Sequence, residues 1–244
     1  MKEQTKESSA TLLLFGFLLA FVGVFLYIGG VFTPIGIKMN SQVSLANLSI
    51  VLGVFLVAVA GYTLAKPADV GQALRAFPRA NAPGYVLMLA ATAWFLWNIN
   101  IEDMADYREI KHWFYIGFGA VGIGSCIFLR DFLAVRGLAV FMLLLAKLML
   151  DTQRDYMLAA PEAHMSEWGL VFAVWAYAII FMCMWWVISP WRMRDLIEWM
   201  TAKPSRLVIK SWVRIALGIL LIALGLIVFR ITPSMRAISD AAAN

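Results

Sequence analysis

The chain has 244 residues, is 62% hydrophobic and only 14% charged, and carries a net charge of +5 at a mean hydropathy of +0.80. Soluble domains run about 45–50% apolar and about 25% charged, so a soluble core of this size is excluded and lipid is the expected solvent. A β-barrel would alternate with period two over segments of about ten residues. The apolar runs here are long and unbroken, which points to helices.

Seven membrane-spanning helices are expected, over residues 11–31, 44–65, 83–100, 112–129, 134–150, 167–188 and 211–230. The first run follows MKEQTKESSA and is longer than the apolar centre of a signal peptide, so it reads as a retained span. Lys66-Pro67 ends the second helix and Ala82-Pro83-Gly84 opens the third. Leu129-Arg130-Asp131 separates the fourth from the fifth, and Ser189-Pro190 closes the sixth. Proline lacks the donor that a helix interior needs and gathers at such ends.

The spans alternate across the bilayer, so the basic residues of the flanks set the orientation. The N-terminus with connections two, four and six holds 13 Lys and Arg, and the opposite flanks hold 7. The expected arrangement is therefore a cytoplasmic tail (1–10), a single transmembrane helical domain (11–231) and an outer C-terminal tail (232–244). The expected location is a bacterial inner (plasma) membrane. The connections KPADVGQALRAFPRANAPG and SPWRMRDLIEWMTAKPSR both run from Pro through an amphipathic stretch to a second Pro. With the shorter LRDFLAVRG they give one leading helix plus three hairpins.

The third connection, NINIEDMADYREIKHW (98–113), gathers Glu102, Asp103, Asp106 and Glu109 before His112. The fifth carries Asp151, Asp155, Glu162, His164 and Glu167. Both fall on the outer side, away from the basic surplus that anionic lipid attracts on the inner one. Glu109-x-x-His112 and His164-x-x-Glu167 each put a carboxylate and an imidazole three apart, on one face of a helix. Glu109, His112, His164 and Glu167 together form a candidate outer-face site for Zn, Cu(II) or non-haem Fe. His112 and His164 also suit one shallow haem, although no CxxCH attachment motif is present. The bland alternative is that both histidines are interfacial and hydrogen-bonded to nearby acids.

In WRMRDLIEWMTAK, Trp191, Leu196, Trp199 and Met200 share one face and Arg192, Asp195 and Glu198 another, as in a helix lying along the inner interface. Most tryptophans, Trp94 and Trp97 included, fall near span ends as an aromatic belt, and Trp175 is the deep one. GFGAVGIGS (117–125) reads as a packing face for close helix approach. Cys126 and Cys183 read as small buried side chains. Lys147 is placed to meet Asp151 one turn on. No ionisable group stands at mid-span, which argues against a proton-coupled carrier. No GxSxG or other complete catalytic set is present, and catalysis is not the favoured expectation.

The favoured expectation is a non-catalytic structural or accessory subunit of a larger membrane complex. Its expected partners are the lipid bilayer and other membrane subunits, with no nucleic acid. A small-solute transporter or channel is the alternative. A metal- or haem-binding redox subunit or enzyme is the second alternative.

Overall fold

The computed structural model describes residues 44–101, 109–159 and 167–229, together with 16, 19, 20 and 22–24. All regular structure among the described residues is helical. In chain order these helices are α1 (Leu45–Ala65), α2 (Pro67–Ala76), α3 (Asn81–Ile101), α4 (Lys111–Phe128), α5 (Leu133–Ala159), α6 (Gly169–Ile188), α7 (Trp191–Thr201) and α8 (Pro204–Ala223), the last continued by a π turn over Leu224–Val228.

Local chemistry sets the breaks. Ser44 caps α1 by accepting a hydrogen bond from Asn47 N at 3.2 Å. Pro67 and Pro204 occupy first turns, where their missing N–H costs nothing. Between α4 and α5 the chain reverses through Phe132, whose φ of 57° lies in the left-handed region. That conformation disfavours a side chain by about 1–2 kcal/mol. The ring packs near Val135, Met193 and Ile197, which hold it there.

Five helices are long and apolar enough to cross a membrane: Leu45–Ala65, Asn81–Ile101, Leu133–Leu158, Gly169–Ile188 and Ser205–Val228. They match five of the seven expected spans. The run at 11–31 lies largely outside the described residues; its six described positions are helical and Val22 is buried. The expected span at 112–129 is present as the helix α4, but it has only 18 residues, begins Lys111-His112 and contains four glycines. Two boundaries differ from expectation. The fifth helix does not stop at 150 but runs to Ala159, with Asp151 paired along it to Lys147 at i,i+4 and to Arg154 at i,i+3. The last helix begins at Pro204 rather than 211, its first two turns carrying Arg206 and Lys210 on either side of Leu207, Val208 and Ile209.

The centre of the fold is α5, 61% of whose apolar window is buried against 22–33% for the other four. It packs against α3 on one side and α6 on another. The α3 crossing is tight: a Cβ on Gly84 would sit 2.9 Å from Ala134 N, and one on Gly137 2.9 Å from Met88 N. From α6, Phe172, Ala176, Ile179 and Cys183 are buried at helical spacing. Trp94 also belongs to this core, 1% exposed and 5.1 Å from the Phe141 ring, rather than to the aromatic belt. The sequence places it by depth, and the helix face decides its burial.

α1 pairs with α8, the last helix described. A Cβ on Gly53 would lie 2.6 Å from Gly218 O, and one on Gly218 would lie 2.8 Å from Gly53 O. At one end of the bundle Phe229 joins this pair to the rest, with its ring 5.1 Å from Tyr156 and 5.8 Å from Phe172. At the other end α2 and α7 do so.

Candidate functional sites at the two ends of the bundle

The basic end is built by the two short amphipathic helices. On α7, Met193, Ile197 and Thr201 recur every four residues and face inward, where Val135, Leu74 and Phe77 receive them. Trp191, Leu196 and Trp199 lie on the open side. Three residues of the expected aromatic face are thus exposed, while Met200, expected with them, packs beside the second apolar face that docks the helix. Arg75 of α2 locks the two helices together: its Nε donates to Thr201 Oγ1 at 2.7 Å and its Nη2 to Thr201 O at 2.6 Å. Thr201 Oγ1 in turn donates to Ile197 O at 2.8 Å.

Where α7 turns into α8, the charge is concentrated and positive. Arg206 Cζ lies 4.8 Å and Lys210 Nζ 4.6 Å from the centre of the Trp199 ring. Arg206 Nη1 also donates to Trp199 O at 2.9 Å. Arg192 stands 5.8 Å over Trp185. The nearby acids are otherwise engaged: Arg194 reaches Asp195 at 2.9 Å and Glu198 at 3.8 Å.

The acidic end carries the residues expected to hold a metal. Glu109 and His112 stand at the opening of α4, both exposed, with the imidazole 5.3 Å from the Trp113 ring. Glu167 is exposed just before α6. His164 lies outside the described residues, as do Glu102, Asp103, Asp106 and Glu162. α4 packs on α3 and α6 packs on α5, so Glu109 and Glu167 belong to different seams. Among the described residues no group of three or more His, Cys, Asp or Glu is placed to hold a metal ion. Lys147 Nζ meets Asp151 Oδ2 at 2.8 Å, as expected, and Arg154 adds a second cation 3.9 Å from Asp151 Oδ1.

Between α3 and α4 at this end lies an open hollow of about 540 Å³, lined by Ala93, Leu96, Trp97, Asn100 and Tyr115. Asn100 ties its rim: its carbonyl accepts from Lys111 Nζ at 2.9 Å and its Oδ1 from the Tyr115 hydroxyl at 3.2 Å. Trp97 Nε1 is buried without a hydrogen-bond partner. These groups can position a small polar molecule but bring together no nucleophile and base. Cys126 and Cys183 are free and buried, the expected bland role.

Among the described residues α4 packs chiefly on α3. Gly122 and Cys126 are its buried residues, and Gly122 is pressed against Thr92 of α3. Phe118 adds a ring contact to Phe95 at 4.7 Å. At 100° per residue, Gly117, Ala120 and Gly124 stand roughly opposite that seam. A Cβ on Gly117 would meet nothing within 4 Å, and one on Gly124 only Phe128 of the same helix. The packing expected of GFGAVGIGS is therefore realised at Gly122, while Gly117 and Gly124 meet no other helix among the described residues. The chain is a helical protein of the membrane-spanning kind, and no protein-family model, curated protein or solved structure matches it.

Proposed function

We propose that the chain is a non-catalytic structural or accessory subunit of a larger membrane complex, seated in a bacterial inner membrane with its N-terminus cytoplasmic and its C-terminus outside. In this reading 11–31 and α4 also cross the bilayer, completing seven spans.

The observation that supports it is the open side of α4. A helix that met only lipid there would gain nothing from glycine, which costs about 1 kcal/mol against alanine even in water. Small residues at helix interfaces in lipid let backbones approach. Gly117, Ala120 and Gly124 supply such a surface, bordered by Trp113 (64% exposed) and Val121 (65%). The first run repeats the seven-residue spacing with Gly16 and Gly23, which meet nothing within 4 Å among the described residues. A partner helix from another subunit is the occupant that makes use of both.

The test is the intact mass of the native protein solubilised in a mild detergent. A stable assembly larger than the 27.2 kDa chain, lost in Gly117→Leu/Gly124→Leu while the variant keeps its helical content, is the expected result. A lone chain sinks the proposal. Solute flux by the purified protein alone in liposomes replaces it with the transporter.

A further inference from the structure

We infer that the turn between α7 and α8 is a binding site for the phosphate of an anionic phospholipid, held by Arg206, Lys210 and Arg214 beside Trp199. Three observations carry this. The three cations fall at i, i+4 and i+8 of α8 and so share one face, where like charges repel. Arg206 and Lys210 both rest on one indole, so their charged centres are at most 9.4 Å apart, the sum of 4.6 and 4.8 Å. No carboxylate pairs with any of the three among the described residues, because Asp195 and Glu198 are held by Arg194. Such a cluster is completed by an anion.

The position selects a lipid as the source of that anion. Ser205–Val228 has 24 residues, about 36 Å of helix against about 30 Å of hydrocarbon. Its basic end therefore begins in the headgroup layer. Lys210 stands about 7.5 Å and Arg214 about 13.5 Å along the helix from Ser205. The long side chains can reach back from there to phosphate depth. Trp199 and Trp212 are 53% and 61% exposed, which suits rings at that depth. The contact with Trp199 draws Arg206 and Lys210 toward α7, beside the exposed Ile209, Trp212 and Val213. A guanidinium on either side of an ammonium offers forked donors and a point charge to one phosphodiester.

The full chain, purified in a mild detergent, is titrated with phosphatidylglycerol, phosphatidylcholine or inorganic phosphate. Retained lipid is read by native mass measurement and stability by thermal unfolding. Phosphatidylglycerol is expected to stay bound and raise the midpoint, and the other two are not. Lys210→Gln/Arg214→Gln should weaken phosphatidylglycerol binding about 30-fold. Lys210→Arg/Arg214→Lys should retain it. Lys66→Gln/Arg79→Gln, which removes two exposed charges from the same end of the bundle, should retain it too. The inference is overturned by equal weakening in the two neutralised variants or by a charge-conserving variant as weak as the neutral one. It is also overturned by equal binding of the two lipids, or by the same stabilisation from inorganic phosphate.

Discussion

Gly53→Ala adds one methyl group to the α1–α8 crossing. The new Cβ would stand 2.6 Å from Gly218 O, 2.7 Å from Ile222 Cγ1 and 3.1 Å from Ile222 N. Two of these three atoms are backbone, so a rotamer change cannot relieve them. Ordinary contact begins at 3.4 Å, and the helices must separate by roughly 0.8 Å, enough to forfeit a quarter to a half of each dispersion well along the seam. Overpacking of this kind costs about 1–3 kcal/mol. Alanine's better helix propensity returns about 1 kcal/mol in water, leaving an expected loss of about 0–2 kcal/mol. The internal control is Gly61→Ala on the same helix, where the Cβ meets nothing within 4 Å. Its expected change lies between zero and about 1 kcal/mol of stabilisation. Unfolding in mixed micelles with a denaturing detergent measures both. Gly218→Ala should resemble Gly53→Ala, and the double variant should cost less than the sum, since one separation relieves both clashes. Equal stability of the Gly53 and Gly61 variants, or full additivity in the double, would refute the crossing geometry.

Arg75→Gln removes the lock between α2 and α7 and should lower stability by about 1 kcal/mol, below the usual range of about 1.5–3 kcal/mol for charged hydrogen bonds because the side chain is exposed. Thermal unfolding of Arg75→Gln, Thr201→Val and the double variant checks it; a double as costly as both singles together would show that the residues act independently. For topology, a cysteine placed at Asp103 or Asp155 should react with an impermeant thiol reagent from outside, and one at Arg75 or Glu198 should not. The native Cys126 and Cys183 are 8% and 1% exposed and give little background. The reverse pattern would invert the proposed orientation.

Apolar run length and proline position made five spans legible, because both act locally. The end of α5 was less so. Asp151, Arg154 and Asp155 read as a loop when only hydropathy is followed, yet their spacing supports a helix that continues past the lipid. Arg206 and Lys210 masked the start of α8 in the same way. Glycine density marks GFGAVGIGS, where Gly122 meets the side chain of Thr92, whereas Gly53, Gly84, Gly137 and Gly218, which approach the backbone of a neighbouring helix, stand apart in sequence. What marks them is the neighbouring helix, and no local pattern records that. The link between Arg75 and Thr201 spans 126 positions and leaves no local trace either. The amphipathic helix α7 was legible as an element, but its docking face was not: Met193 and Ile197 are less conspicuous than the tryptophans that remain outside.

The pairing of α1 with α8 sets the order in which the protein is completed. Gly53 and Gly218 are 165 positions apart, so at about 5–20 residues per second α1 waits roughly 8–33 seconds between its own synthesis and the arrival of its partner. During that interval Ser49, Leu52 and Gly53, all buried in the finished bundle, face lipid or whatever assists insertion. A chain that stalls before Pro204 never relieves this exposure. Among the described helices α8 is therefore the last to be made, and the buried face of α1 stays uncovered by its partner until then.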